Sequence, residues 1–103
     1  MEHNVRLSGP TLKVLKFLVE KPRQARSGAE ISRTVNVGSG TLYPLLQRLE
    51  LAGWLKSEWE KIDPSKEGRP RRRYYLLTGH GQTNAVRALS ELQAAPGVLA
   101  WTS

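Results

Sequence analysis

The chain contains no cysteine, and only two of its 103 residues are histidines. Without cysteine it can form no disulfide, no thiolate metal site and no thiol nucleophile. A metal site would need both His3 and His80, which are far apart in the sequence, together with carboxylates, so we expect none. The sequence also lacks a phosphate-binding glycine loop, a dinucleotide motif and a nucleophile–base pair. We therefore expect neither an enzyme nor a bound cofactor.

Long apolar runs are also absent. No stretch approaches the roughly 20 residues that a membrane-spanning helix needs, so we expect no membrane segment. The first four residues, Met1-Glu2-His3-Asn4, lack the charged-then-apolar order of a signal peptide. These two features favour a cytoplasmic protein, which would be associated with the nucleoid if it binds DNA.

Acidic residues are scarce in comparison with basic ones. Nine Asp and Glu residues against 16 Lys and Arg residues give a formal net charge of +7. Such a surplus suits a polyanionic partner, with nucleic acid as the first candidate and an anionic membrane surface as the second. The charge alone does not choose between them.

The hydrophobic spacing predicts mostly helical structure with one β-hairpin. Helical periodicity predicts helices over residues 7–20, 27–35, 40–52 and 78–95. Alternation predicts strands over 54–61 and 71–77, joined by a turn that contains Asp63-Pro64 and Gly68. Gly53 is the expected C-cap glycine of the third helix. This order predicts a winged helix-turn-helix (α-α-α-β-β wing) followed by one C-terminal helix.

The third predicted helix has one apolar and one polar face. A helix that follows a short turn after another helix can lie in the major groove, with its N-terminal residues towards the bases. Pro44 lacks an N–H, so we expect this helix to begin close to Thr41 or to bend at its start. Gln47 could read adenine, and Arg48 could hold guanine or a phosphate. The candidate DNA-binding residues of this helix are Ser39, Thr41, Tyr43, Pro44, Gln47 and Arg48.

The alternative is that this surface is merely the polar face of a core helix, and the spacing alone does not decide between the two. The basic hairpin that follows favours the DNA-binding interpretation. Residues 66–73 contain five basic residues and one acid, Glu67.

Along an extended strand, Arg71 and Arg73 point one way and Arg72 points the other. One face must also carry Tyr75 and Leu77 into the core, so the three arginines cannot contact DNA equally. We favour Lys66, Arg69 and Arg72 for contacts with phosphates or the minor groove. The candidate residues of the predicted wing, 61–73, are Lys66, Arg69, Arg71, Arg72 and Arg73. A solvated charge run is the alternative.

Several stretches form a linked pattern. They are Gly40-Thr41-Leu42-Tyr43-Pro44-Leu45-Leu46, Arg48-Leu49-Glu50, Gly53-Trp54-Leu55 and Gly68-Arg69-Pro70-Arg71-Arg72-Arg73-Tyr74-Tyr75-Leu76-Leu77-Thr78, with Gly81 shortly after. This pattern resembles the PadR family of winged-helix transcriptional regulators, over about residues 7–92. The resemblance implies a homodimeric regulator of double-stranded DNA, usually a repressor, and we expect it to bind an inverted-repeat operator.

In that family the helix after the wing carries dimerisation together with the first helix. Carried over to this chain, the resemblance implies an interface of Leu7, Leu12, Leu15, Val86, Leu89 and Leu92. The implied organisation is a DNA-binding domain over residues 1–78, a dimerisation helix over 79–95 and a flexible tail over 96–103.

A small-molecule effector is left unidentified. Some small members of the family bind flat aromatic drugs between aromatic residues of their final helices. Here the fourth predicted helix has no aromatic residue, and Trp101 follows the helix stop at Pro96-Gly97. Two other functions stay open, namely a winged-helix module for protein interaction and one for RNA binding. The net charge and the arginine-rich wing argue against the first, whereas a single basic residue on the third helix, Arg48, does not exclude the second.

Overall fold

The computed structural model describes residues 5–94 of the chain. Within this range the fold is a mostly helical winged helix-turn-helix with a small antiparallel sheet, as the sequence predicts. The elements are α1 (Gly9–Glu20), β1 (Arg26–Ser27), α2 (Gly28–Val35), α3 (Ser39–Leu51), β2 (Leu55–Trp59), α4 (Pro64–Glu67), β3 (Arg73–Leu77) and α5 (Gly79–Ala94). The predicted tail over 96–103, with the stop at Pro96-Gly97 and with Trp101, lies outside the described residues.

Serine side chains cap the first two helices. The Ser8 hydroxyl accepts the backbone N–H of Thr11 at 3.3 Å, and the Ser27 hydroxyl accepts that of Glu30 at 3.1 Å. Each bond satisfies one of the free N–H groups at a helix start. These caps fix the start of α1 at Gly9 and that of α2 at Gly28.

Helix α3 begins at Ser39 and continues through Pro44. The helix thus starts two residues before Thr41. The N–H groups of Thr41 and Leu42 already donate to the carbonyl of Gly38, at 3.0 and 2.9 Å. Pro44 lies inside the helix and lacks the N–H that would have bonded the carbonyl of Gly40.

The end of α3 confirms the prediction for Gly53, which lies in the left-handed region with φ of 80°. Its N–H donates to the carbonyl of Glu50 at 3.0 Å, and the N–H of Trp54 donates to that of Leu49 at 2.9 Å. These two bonds form a Schellman motif, which turns the chain sharply from α3 into β2.

The three strands form a sheet in the order β1-β3-β2, with both pairs antiparallel. In the wing, Leu55 pairs with Leu77 and Trp59 pairs with Arg73. Strand β3 begins at Arg73 rather than at the predicted Arg71, and β1 was not predicted. Strand β1 has two residues, too few to show a period, and it exists only because it pairs with Tyr74 and Tyr75.

The core lies between α1, α2, α3, the sheet and the start of α5. Four leucines of α3 fill its centre, since they recur at helical spacing on one face. The side chains with no exposed surface are Val14, Leu15, Ile31, Leu42, Leu46 and Ala85. This single core is what positions the outward face of α3.

Thr78 joins α5 to the link between α3 and β2. Its N–H donates to the carbonyl of Trp54 at 3.0 Å, and its hydroxyl donates to the carbonyl of Gly53 at 2.6 Å. The same hydroxyl accepts the N–H of Gly81 at 2.9 Å and so caps α5. Gly81 is buried against the backbone of Trp54, where a Cβ would collide with the carbonyl.

Candidate nucleic-acid interface

The outward face of α3 carries all the side chains that the sequence analysis assigned to it. Opposite the buried leucines, the exposed residues are Ser39, Thr41, Tyr43, Pro44, Gln47 and Arg48. Leu51 continues this face and is 60% exposed. Sequence reasoning missed Leu51, although its spacing of three, four and seven residues from Arg48, Gln47 and Pro44 places it on the same side of the helix. The face therefore combines hydrogen-bonding and apolar groups.

Tyr43 packs against the start of α2. A Cβ built on the buried Gly28 would lie 2.6 Å from the hydroxyl oxygen and 2.7 Å from Cε1 of Tyr43. Only glycine leaves room for the ring in this position. The ring is thereby held at the corner between α2 and α3 while 44% of the residue stays exposed.

The tip of the wing is more ordered than the turn that the sequence predicts. Asp63 caps the short helix α4, because its Oδ1 accepts the N–H of Ser65 at 3.0 Å and the Ser65 hydroxyl at 2.7 Å. These bonds also lower the pKa of the Asp63 carboxyl. Gly68 then ends α4 in the left-handed region, with φ of 68°. An Asp-Pro pair followed by a glycine four residues later is a cap signal that could have predicted this helical turn.

Below the tip, the side chains of Glu60 and Arg69 form an ion pair across the hairpin. The two oxygens of Glu60 accept hydrogen bonds from Nη1 and Nη2 of Arg69 at 2.7 and 2.9 Å. Oε1 also accepts the backbone N–H of Arg72 at 3.1 Å. The hydrogen bonds from Arg69 are the main reason why the pKa of Glu60 falls from 4.5 to about 2. In turn the carboxylate raises the pKa of Arg69. This bidentate pair was not predicted from the sequence.

The six basic residues of the wing, 61–73, are therefore not equivalent. Four are exposed, namely Lys61, Lys66, Arg71 and Arg72, although Nε of Arg71 also donates to the carbonyl of Ile62 at 3.0 Å. Arg69 and Arg73 are partly buried. Since Arg69 is bound to Glu60, its side chain is already engaged within the wing. The sequence favours Lys66, Arg69 and Arg72 for contacts with DNA. In the structure Lys66 and Arg72 are exposed, whereas Arg69 is bound to Glu60.

Arg73 belongs to the base of the wing, where it connects the sheet with α3. Its guanidinium lies 4.9 Å from the centroid of the Trp59 ring, within the range of a cation–π contact. Nη2 is 3.7 Å from Oε2 of Glu50, and that same oxygen accepts the Ser57 hydroxyl at 2.6 Å. A helix residue, Glu50, is thus bound to both strands of the wing.

A groove runs between α3 and the base of the wing, with a volume of about 480 Å³. Burial raises the pKa of the Tyr75 hydroxyl at its floor. The outward face of α3 and the wing therefore border one surface feature. The lining residues are Tyr43, Gln47, Glu50, Leu51, Arg73 and Tyr75.

The residues expected at a dimer interface occupy different environments. Leu7 is 45%, Val86 is 47% and Leu92 is 36% exposed, whereas Leu12 and Leu89 are half-buried. Leu15 has no exposed surface, because it packs into the core of its own protomer. The expectation for Leu15 is therefore corrected, since a side chain buried in this way offers a second protomer nothing to contact.

Among the described residues, no helix combines the length and apolarity that crossing a membrane requires. Over the same range, no three or more His, Asp or Glu side chains are grouped so that they could hold a metal ion.

Many solved structures share this fold, from both bacteria and archaea. A PadR-like transcription factor of Bacteroides fragilis is 23% identical, covers 90% of this chain and 88% of its own, and superimposes with a TM-score of 0.70. A Streptococcus mutans protein is 28% identical over 91% of this chain and 85% of its own, with a TM-score of 0.68. A transcriptional regulator homologue of Pyrococcus horikoshii is 24% identical over 82% of this chain and 76% of its own, with a TM-score of 0.67.

At the level of sequence, no curated protein matches the chain significantly. The sequence model of the Transcriptional regulator PadR-like family, by contrast, matches residues 14–87. This range contains α2, α3 and the whole wing, which are the elements whose geometry is described above. The chain belongs to the PadR-like family of transcriptional regulators.

Proposed function

We propose that this protein is a homodimeric transcriptional repressor that binds an inverted-repeat operator in double-stranded DNA. The observation that carries the proposal is the surface shared by α3 and the wing. Three exposed side chains of α3 line one groove with the base of the wing, namely Tyr43, Gln47 and Leu51. The exposed cations Lys66, Arg71 and Arg72 lie further out on the same hairpin. A helix for the major groove next to a cationic hairpin is what a winged-helix DNA reader uses.

In this proposal α3 lies in the major groove. The hydroxyl groups of Ser39, Thr41 and Tyr43 bind phosphates near the helix start, where N–H groups also favour anions. Further along, Gln47 reads adenine through a bidentate pair and Arg48 holds guanine or a phosphate. Pro44 supplies an apolar contact between them.

The wing binds the backbone or the minor groove through Lys66, Arg71 and Arg72. Arg69 and Arg73 were candidates for direct contact on sequence grounds. Their ion pairs with Glu60 and Glu50 make them supports of the wing instead. Glu60 already supplies Arg69 with the acceptors that a phosphate would otherwise provide, and the Glu50 carboxylate lies 3.7 Å from the guanidinium of Arg73.

The proposed dimer interface is formed by α5 and by the segment that runs from Leu7 into the first turns of α1. Leu7, Val86 and Leu92 are exposed leucine or valine side chains on these two segments, and Leu12 and Leu89 lie half-buried nearby in sequence. Burying them between two protomers would remove this apolar surface from water. Two copies of α3 would then reach half-sites about one helical turn apart, roughly 34–36 Å.

Selection of purified protein against a pool of random double-stranded DNA, at about physiological salt, tests the proposal. Recovery of an inverted repeat with half-sites about 10 base pairs apart is the expected result. Weak, salt-sensitive and sequence-blind retention would reduce the wing to a general contact with polyanions. A competition with duplex RNA in the same assay tests the RNA-binding alternative, which predicts that RNA displaces the DNA. Salt-insensitive binding of a protein partner by a monomer would favour the protein-interaction module.

Repression is tested separately with the recovered operator placed at a promoter. Expression of the protein should lower the output of the reporter, and an increase would make it an activator. A small-molecule effector, if the protein has one, would act by changing the separation or rigidity of the two wings, because both half-sites must be bound at once.

A further inference from the structure

Glu60 binds Arg69 through both of its carboxylate oxygens, which is more than a simple surface ion pair requires. Both carboxylate oxygens bind the guanidinium of Arg69, at 2.7 and 2.9 Å, and Oε1 also binds the backbone N–H of Arg72 at 3.1 Å. The Glu60 side chain is only 17% exposed and that of Arg69 is 32% exposed. The antiparallel pairing continues at this point, because the N–H of Glu60 donates to the carbonyl of Arg72 at 2.8 Å. The pair is thus built into the hairpin.

From this geometry we infer that Glu60 withholds Arg69 from DNA phosphates and thereby limits the sequence-independent affinity of the wing. The inference rests on the proposed function, since it concerns how the same wing meets duplex DNA. It makes Glu60 a positioning residue that acts through Arg69. The wing, residues 61–73, then offers four exposed cations out of six basic residues, namely Lys61, Lys66, Arg71 and Arg72.

The physical reason is that Arg69 would have to give up its hydrogen bonds with Glu60 in order to bind a phosphate. A guanidinium bound bidentately to a carboxylate already has a strong, charge-assisted pair of hydrogen bonds. If Arg69 turned to a phosphate, it would leave Glu60 as an unpaired negative charge in a partly buried site beside the negatively charged backbone. Desolvation and like-charge repulsion both disfavour that state.

The consequence for recognition concerns the competition between operator and other DNA. Phosphate contacts supply nearly all of the non-specific affinity and carry no base information. A further cation on each wing would strengthen binding to every sequence alike. Glu60 therefore favours discrimination between the operator and other DNA, because it keeps one arginine of the wing from contacting phosphates.

The slope of log K against log salt is proportional to the number of phosphate contacts, so this slope provides the test. Anisotropy of a labelled duplex of random sequence is measured from about 50 to about 200 mM salt for the wild-type chain and for Glu60→Gln. Releasing Arg69 should steepen the slope of log K against log salt by about 0.9 for each wing that contacts the duplex. Glu58→Gln is the matched control, because it removes the same charge two residues earlier in the chain, at an exposed side chain of β2. Its slope should equal that of the wild type.

A double variant makes the result specific to Arg69. Glu60→Gln/Arg69→Gln removes both charges of the pair without leaving Glu60 unpaired, and it should return to the wild-type slope. A slope shallower than that of the wild type in this double variant would show that Arg69 contacts phosphate and would overturn the inference. So would an unchanged or shallower slope in Glu60→Gln. If the wild-type chain shows no salt-dependent binding to duplex DNA, the proposed function itself fails, which is a different result from binding with an unaltered slope.

Discussion

The backbone of Gly81 lies against the carbonyl of Trp54, so closely that any side chain at residue 81 would overlap that carbonyl. The contact joins the first turn of α5 to the link between α3 and β2. Thr78 bonds the same carbonyl through its N–H, at 3.0 Å. The proposed dimerisation helix is therefore fixed directly to the end of the proposed recognition helix.

Replacing Gly81 with alanine should destabilise the fold. The added methyl group must push α5 away from Trp54, and overpacking of this kind typically costs about 1–3 kcal/mol. Urea unfolding followed by circular dichroism measures the loss. Gly79→Ala is the control, since a Cβ there meets nothing within 4 Å and the residue lies in the same helix. Equal stability of the two variants would contradict the close approach at residue 81.

Gln47→Ala and Arg72→Ala should weaken DNA binding in different ways. Loss of Gln47 should relax the preference for one base pair of the operator, at about 1–3 kcal/mol, with little change in the salt slope. Loss of Arg72 should weaken binding to all sequences and reduce the slope by about one. Binding to the selected operator and to a scrambled duplex, each measured over a range of salt, distinguishes the two. If neither variant affects either duplex, this face is not the DNA-binding surface.

Val86→Glu should dissociate the proposed dimer while leaving each protomer folded. Val86 is 47% exposed in the protomer, so a charge there is tolerated until a second copy covers it. Sedimentation velocity should show the monomer at concentrations where the wild-type chain is dimeric. Glu91→Lys changes an exposed charge on another side of α5 and should stay dimeric. A dimer that survives Val86→Glu would place the interface elsewhere.

The pair of Glu60 and Arg69 should make the wing sensitive to acid in a defined range. The pKa of Glu60 is about 2 in the folded chain, against an ordinary value of 4.5, because Arg69 donates to the ionised form. A lowered pKa in the folded state means that the stabilisation is complete above the unfolded value and is lost as the pH falls towards the folded one.

We therefore expect the wild-type chain to exceed Glu60→Gln in stability by a constant amount between about pH 6 and pH 8. The difference should shrink as the pH falls from 4.5 towards 2. Urea unfolding of both proteins at several pH values checks this. A difference that does not change between neutral pH and about pH 3 would show that the charge of Glu60 is not what stabilises the wing.

Much of the fold follows from local sequence patterns. Leu42, Leu45, Leu46 and Leu49 recur at helical spacing and predict α3, and Gly53 marks its end because the turn needs a positive φ. The outward residues of α3 follow from the same periodicity, since they are what remains when the leucines face the core. This part of the candidate site could be predicted because it depends on neighbours one helical turn apart.

The remaining parts depend on contacts between distant residues. Strand β1 is defined by its pairing with Tyr74 and Tyr75, more than 40 residues later in the chain. The partner of Arg69 is set by the register of the hairpin, which brings Glu60 beside it across α4. Charge spacing alone cannot distinguish an arginine that is bound to a carboxylate from one that is free to meet a phosphate. The division of the basic residues therefore had to come from the structure.

Ser27 is part of the sheet and is also the cap of a helix. It pairs with Tyr74 in β3, and its hydroxyl holds the start of α2. The sheet is therefore joined to the helix-turn-helix at Ser27, and Glu50 joins α3 to Ser57 and Arg73 at the base of the wing. In the proposed complex, the distance between α3 and the base of the wing is set before DNA is bound. Duplexes whose groove dimensions already match this distance are accommodated without deformation, so the protein would select operators by the shape of the double helix as well as by its bases.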